Sequence, residues 1–204
     1  MCAKKQQGFT LIELMISLAI FSVLIGLGAP SFISAMKNSR LDSDYGELVR
    51  SMYLARSEAV KRTVRVGVCA RATDTTCGAN WNNGWIVFLD NVQGTPTTTG
   101  VINNGDEILR FSPPLDDKRK VTAAGSPWQV VSSSSNSVTQ TFVQYRPDGS
   151  SSLSGGTFVI CDDRGEEHAR TLNIVLTGDI RKGRKKGNKI AKDVYGVEIV
   201  CPTV

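Results

Sequence analysis

The sequence has a single histidine, His168, among 204 residues. It shows no nucleophile–base–orienter set and no metal-ligand spacing. The chain is therefore read as no enzyme, with no cofactor and no metal. It has no internal repeat and no second domain; the serine-rich stretch 132–137 reads as a loop. Strong net charge is missing too: 24 basic against 19 acidic residues leave +5, with a pI near 9.0. Bulk charge alone gives no reason to expect nucleic acid; only clustering could. With 41% hydrophobic and 21% charged residues, general disorder is excluded.

Charge is nearly absent from one stretch in particular. Phe9 to Ala29 is 21 residues long and carries one ionisable side chain, Glu13. At about 1.5 Å per residue this spans a hydrocarbon core of about 30 Å. Lys4 and Lys5 precede it. They place the amino end in the cytoplasm and the remainder outside. A secretory signal carries its small residues and cleavage site after the apolar run. Here the small residue, Gly8, stands before it. Cutting after Gly8 removes the charged leader and keeps the apolar run as the start of the mature chain. Losing Lys4 and Lys5 leaves 22 basic against 19 acidic residues, or +3.

Glu13 sets this segment apart from a plain anchor. A carboxylate at membrane depth costs about 2.5–3.5 kcal/mol on insertion scales and marks a function. Cleavage at Gly8 creates a cationic amine on Phe9, four residues away. Between adjacent subunits that amine and carboxylate neutralise one another and set an axial register. Gly26, Gly28 and Pro30 form a weak patch, since glycine costs about 1 and proline about 3 kcal/mol in a helix interior. Pro30 marks either the membrane exit or a stretch that bends as the subunit packs.

GFTLIELMISLAI with Lys4 and Lys5 upstream resembles the class III signal of type IV pilins and pseudopilins. The resemblance implies that a prepilin peptidase cuts between Gly8 and Phe9 and methylates Phe9. It also implies that Glu13 guides assembly and that Pro30 is the family's helix-bending proline. The implied partners are major and minor pilins and an inner-membrane assembly platform.

Beyond Pro30, Leu41, Tyr45, Leu48, Met52, Ala55 and Ala59 are spaced 4, 3, 4, 3 and 4. That is one apolar helical stripe, with the helix expected to end near Arg62. VRVGVCA (64–70), GWIVFLD (84–90), EILRFS, FVQYRPDG, TFVICD, RTLNIVLTGD and VYGVEIVC read as strands and turns. The fold class is α+β, a long helix packed on an antiparallel sheet. Its expected parts are a leader 1–8, a membrane or filament-core helix 9–29, and an exported domain 30–204. That domain comprises a helix 30–62 and a sheet 63–204. NNGWIVFLD, FVQYRPDGS and LNIVLTGDIR resemble the blocks of the GspH/FimT family of minor pilins and pseudopilins. The family implies a low-copy subunit near a filament tip, with DNA uptake linked to some FimT members.

Cys69, Cys77, Cys161 and Cys201 follow the apolar run, and Cys2 precedes it. Four cysteines allow three pairings. The local one, Cys69–Cys77 and Cys161–Cys201, is preferred because each pair falls within one stretch of sheet. An even number fits an oxidising compartment; free thiols in a cytoplasmic protein are the competing reading.

Arg181, Lys182, Arg184, Lys185, Lys186, Lys189 and Lys192 crowd between Ile180 and Lys192. They read as an exposed loop between strands, able to contact phosphates in a salt-dependent, sequence-blind way. The run has no aromatic residue for base stacking. DNA-binding FimT relatives carry GRxR here, where this chain has Gly178-Asp179-Ile180-Arg181, with aspartate in place of the first arginine. Gly183-Arg184-Lys185-Lys186 is the nearest substitute, though lysine loses bidentate geometry. A merely solvated loop is the other reading. DDRGEEH (162–168) reads as a strand connection, with a calcium site as the competitor.

Overall fold

The computed structural model describes residues 8–78, 80–90, 102, 105–115, 142–151, 156–183, 199 and 201. Among the described residues one α-helix, α1 (Leu11–Arg62), is followed by strands that pair antiparallel. By its contacts the chain divides into two compact units, Met1–Arg40 and Leu41–Val204.

In the first unit the large apolar side chains from Phe9 to Met36 are exposed and none is buried. Length and composition suffice for this helix to cross a membrane. The helix runs through Pro30 without interruption. Pro30 has no N–H, so the carbonyl of Gly26 lacks its ordinary intrahelical donor there.

In the second unit the 3.6-residue stripe becomes the buried face of α1. Leu41, Leu48, Met52, Ala55 and Ala59 lie in the core, and Tyr45 packs against it half-buried. The helix stops after Arg62 because Thr63 takes a left-handed φ of 55°, the usual C′ geometry.

Sheet A comprises β1 (Arg65–Arg71), β2 (Cys77–Gly78), β3 (Trp85–Asp90), β4 (Ile108–Phe111) and β5 (Phe142–Tyr145). Strand β1 is central, paired to β3 along one edge and to β5 and β2 along the other. A 3₁₀ turn, Trp81–Asn83, leads into β3. Alternation divides the two faces. Val66, Val68, Ala70, Trp85 and Val87 join the helix in the main core, while Cys69, Ile86 and Phe88 form a second apolar cluster.

Sheet B is β6 (Gly156–Ile160), β7 (Arg170–Ile174) and β8 (Ile180–Lys182), in that order. Phe158, Ile160, Leu172 and Ile174 enter the same core. The expected helix on antiparallel sheet is present, and among the described residues the strands fall into two sheets. Alternation along a strand specifies its faces but not which edge it pairs with, and β6–β8 pair among themselves. Two short elements were not foreseen, β2 and β8. VYGVEIVC lies outside the described residues apart from Ile199 and Cys201, which are both buried.

Candidate functional site

Gly8, Phe9 and Thr10 precede the helix, and Phe9 is 92% exposed. Thr10 caps the first turn. Its amide and hydroxyl both donate to Glu13 Oε2, at 2.9 and 2.8 Å, and its Oγ1 accepts from the Glu13 amide at 3.3 Å. This is a capping box, the pattern S/T-x-x-E ahead of an apolar run. The signal was present in FTLIE; the reading of Glu13 as an intermolecular partner passed over it.

The second candidate region begins at a single arginine. Arg56, on α1, donates from Nε to the Gly149 carbonyl, from Nη2 to the Thr177 carbonyl and from Nη1 to Asp179 Oδ1, each at 3.1 Å. Two turns 93 and 121 residues distant in sequence are thereby held on the helix. They are the turn after β5, Arg146–Gly149, and the turn between β7 and β8, Val175–Gly178. Both belong to the sequence blocks singled out above. Gly149 and Gly178 have φ of 78° and 79°, and a Cβ on Gly178 would stand 1.9 Å from the Gly149 carbonyl oxygen. The guanidinium of Arg56 beside Asp179 holds its carboxyl below the ordinary aspartate range, outweighing the opposing effect of desolvation.

The basic run does not start as a loop. Arg181 and Lys182 lie in β8, paired with Asn173 and Leu172 of β7. The turn at Val175–Gly178 brings this short segment back onto β7, and its pairing there overrides the charge pattern. Arg181 lies 3.7 Å from Asp179, and Lys182 Nζ sits 5.6 Å from the centre of the Tyr45 ring. Both cations therefore have intramolecular partners. Arg184, Lys185, Lys186 and Lys189 lie outside the described residues, as does Lys192.

The cysteines form two disulfides, Cys69–Cys77 with Cα atoms 5.6 Å apart and Cys161–Cys201 at 6.1 Å. Both separations are ordinary for the bond. The second fixes residue 201 beside the 162–168 connection, where Glu166 Oε1 accepts the Cys201 amide at 3.0 Å. In that connection Asp162 pairs with Arg164 at 2.5 Å. Burial opposes ionisation of Asp162, but the Arg164 side chain and amide prevail and hold its carboxyl low. Among the described residues no group of three or more His, Cys, Asp or Glu could hold a metal ion.

Comparison with known proteins gives two family matches. Residues 3–29 match the prokaryotic N-terminal methylation motif, and residues 46–178 match the type II transport protein GspH. Among solved structures, the chain is similar to the type IV minor pilin FimU of Pseudomonas aeruginosa in two crystal forms. One is 22% identical, covering 78% of this chain and 98% of that one with a TM-score of 0.47. The other is 20% identical, covering 76% and 100%, with a TM-score of 0.45. No curated protein matches the chain.

Proposed function

The chain belongs to the family of the type II transport protein GspH, and from that premise we propose that it is a minor subunit of a type IV pilus that primes or tips filament assembly. One observation carries this reading: a methylation motif heads a helix whose large apolar side chains from Phe9 to Met36 are left uncovered by the chain itself. Such a surface needs a bilayer before assembly and neighbouring helices after it. A prepilin peptidase cuts between Gly8 and Phe9 and methylates the new amine, and the helix then passes from the membrane through an assembly platform into a bundle of other pilins. Within that bundle Glu13 neutralises the amine of the adjoining subunit, and Pro30 gives the helix a place to yield.

The test is made on the intact precursor in its own host. The mature chain is expected to begin at methylated Phe9, by mass of its amino-terminal peptide. Glu13→Ala is expected to be cleaved and membrane-inserted normally, yet to fall at least about tenfold in sheared filaments, the scale of losing a charge-assisted contact. An unprocessed wild-type chain, or normal incorporation of the variant, would defeat the reading.

The family's description favours a second reading, a minor pseudopilin of a type II secretion system. Deleting the gene distinguishes them: a pilus subunit removes surface filaments and spares secretion, and a pseudopilin does the reverse. DNA contact is the finer proposal for the basic run. Its candidate residues are Arg181, Lys182, Arg184, Lys185, Lys186 and Lys189; the exposed contacts of Arg181 with Asp179 and of Lys182 with Tyr45 are weak enough to give way to a phosphate. Gel-shift titration of the chain without residues 1–36 is expected to show low-salt duplex binding, lost when Arg184, Lys185 and Lys186 become alanine. Binding that survives those replacements rules the run out as the DNA site.

A further inference from the structure

Among the described residues the Leu41–Val204 unit has ten arginines, and eight of them are paired with a carboxylate. The two that are not, Arg65 and Arg146, stand beside each other. Val66 of β1 pairs with Tyr145 of β5, so Arg65 and Arg146 face one another one position beyond the last pair. Alternation puts both on the face of sheet A opposite the main core, in line with Cys69 and Phe142. Both residues are exposed. Among the described residues the Arg65 side chain has no hydrogen bond, and Arg146 has one long one, from Nη1 to Ser150 Oγ at 3.4 Å. The neighbouring acids are engaged elsewhere. Asp90, opposite Arg65 on β3, is buried and accepts from Gln144 Nε2. Asp148 Oδ1 takes the Ser150 amide and hydroxyl, and Asp148 acts on Arg146 only by longer-range attraction. Like charges directly opposed on paired strands are destabilising. A unit that neutralises its other arginines thus leaves these two in mutual repulsion, on an open face where one ligand can neutralise both.

We infer that Arg65 and Arg146 form an anion site, and that the anion is a phosphate, free or as a monoester. Directly opposed residues have Cβ atoms about 4.5–5.5 Å apart, so both guanidiniums reach one small anion. Each guanidinium presents a planar fork of donors that fits phosphate oxygens in pairs. Charge selects among oxyanions. A phosphate monoester has a charge of about −1.5 to −2 at neutral pH and matches two cations. A carboxylate or a phosphodiester has a single charge and leaves one guanidinium uncompensated. The site shares no residue with the basic run that begins at Arg181, and it depends on neither the filament reading nor the DNA reading above.

The test uses the full-length chain in nonionic detergent and phosphate-free buffer, with binding followed by phosphorus NMR. Inorganic phosphate and glucose 6-phosphate are titrated separately; dimethyl phosphate is the diester control, and acetate is added as a competitor. At least one of the first two is expected to bind with a Kd on the order of 1 mM. Binding of inorganic phosphate alone identifies a free-phosphate site, and binding of glucose 6-phosphate at least as tight identifies an esterified ligand such as a headgroup. Arg65→Gln and Arg146→Gln are each expected to weaken binding at least about tenfold, as for a lost charge-assisted contact. Arg65→Lys keeps the charge without the fork and falls between. Arg50→Gln removes an exposed arginine already paired with Glu47, and its affinity stays within about twofold of wild type. Without ligand, at low salt, the two glutamine variants unfold at urea concentrations no lower than the wild type, because the repulsion is gone. Absence of saturable binding by both phosphates overturns the inference. So do Arg65→Gln and Arg146→Gln chains that bind like the wild type, or a loss of stability in both, which would make the pair a support of the fold. Dimethyl phosphate binding as tightly as glucose 6-phosphate also overturns it and points to a nucleic-acid backbone. Acetate competing on equal terms overturns it in favour of an acidic protein segment.

Discussion

Gly178→Ala is expected to destabilise the Leu41–Val204 unit by about 3–5 kcal/mol, in the exceptional range for one methyl group. Two costs combine. Residue 178 has a φ of 79°, where any side chain is strained. That strain accounts for about 1–3 kcal/mol. The new Cβ also meets the Gly149 carbonyl oxygen at 1.9 Å, a distance no rotamer relieves because both partners are backbone. The two turns must separate, and Arg56 then loses partners on both. Gly165 provides the control. Its φ is 80°, yet a Cβ there meets nothing within 4 Å. Gly165→Ala therefore carries the backbone strain alone. In urea denaturation of the detergent-solubilised chain, Gly178→Ala should lose about 2 kcal/mol more than Gly165→Ala. Equal losses would show that the turns separate freely and that their close approach on Arg56 does not hold the fold.

The same turns carry a modest pH dependence. The Asp179 carboxyl is held low when folded. Its contribution is therefore complete above the ordinary aspartate pKa and disappears as pH falls through the depressed folded value. The Asp179 side chain is 46% exposed, so solvent and salt screen the effect.

The features legible in the sequence are those with a short period. The stripe from Leu41 to Ala59 repeats at helical spacing, and those residues do face the core. The run from Trp85 to Asp90 is apolar on both faces, and β3 is covered on both. Neither the division into two sheets nor the role of Arg56 was legible. Arg56 reads as one more cation off the apolar stripe, and its partners lie 93, 121 and 123 residues away. No local pattern encodes that. Arg181 and Lys182 were hidden for another reason: a charge run dominates a three-residue strand, although a tight turn at Gly178 was there to announce a hairpin. The capping box was fully legible in FTLIE. One carboxylate can have both a local and an intermolecular use, and only the second was read from it.

Trp85→Ala is the other substitution expected to approach loss of folding, at about 4–5 kcal/mol for a large buried side chain. Trp85 is 1% exposed in the main core, on the strand that faces α1. Its indole Nε1 donates to Ser51 Oγ at 2.8 Å, and the Ser51 hydroxyl donates in turn to the Glu47 carbonyl at 3.0 Å. The helix and sheet A are thus joined by apolar area and by one buried polar contact, and two further variants separate these. Trp85→Phe keeps most of the ring and removes the donor. Ser51→Ala keeps the ring and leaves a buried N–H with no acceptor. Each is expected to cost about 1–3 kcal/mol. Combined, they leave no orphaned indole N–H, so the double variant should be about 1 kcal/mol more stable than the two losses added together. Strict additivity would mean that the indole finds another acceptor when Ser51 is gone. The union of helix and sheet would then rest on packing and on the Arg110–Glu47 pair at 2.6 Å.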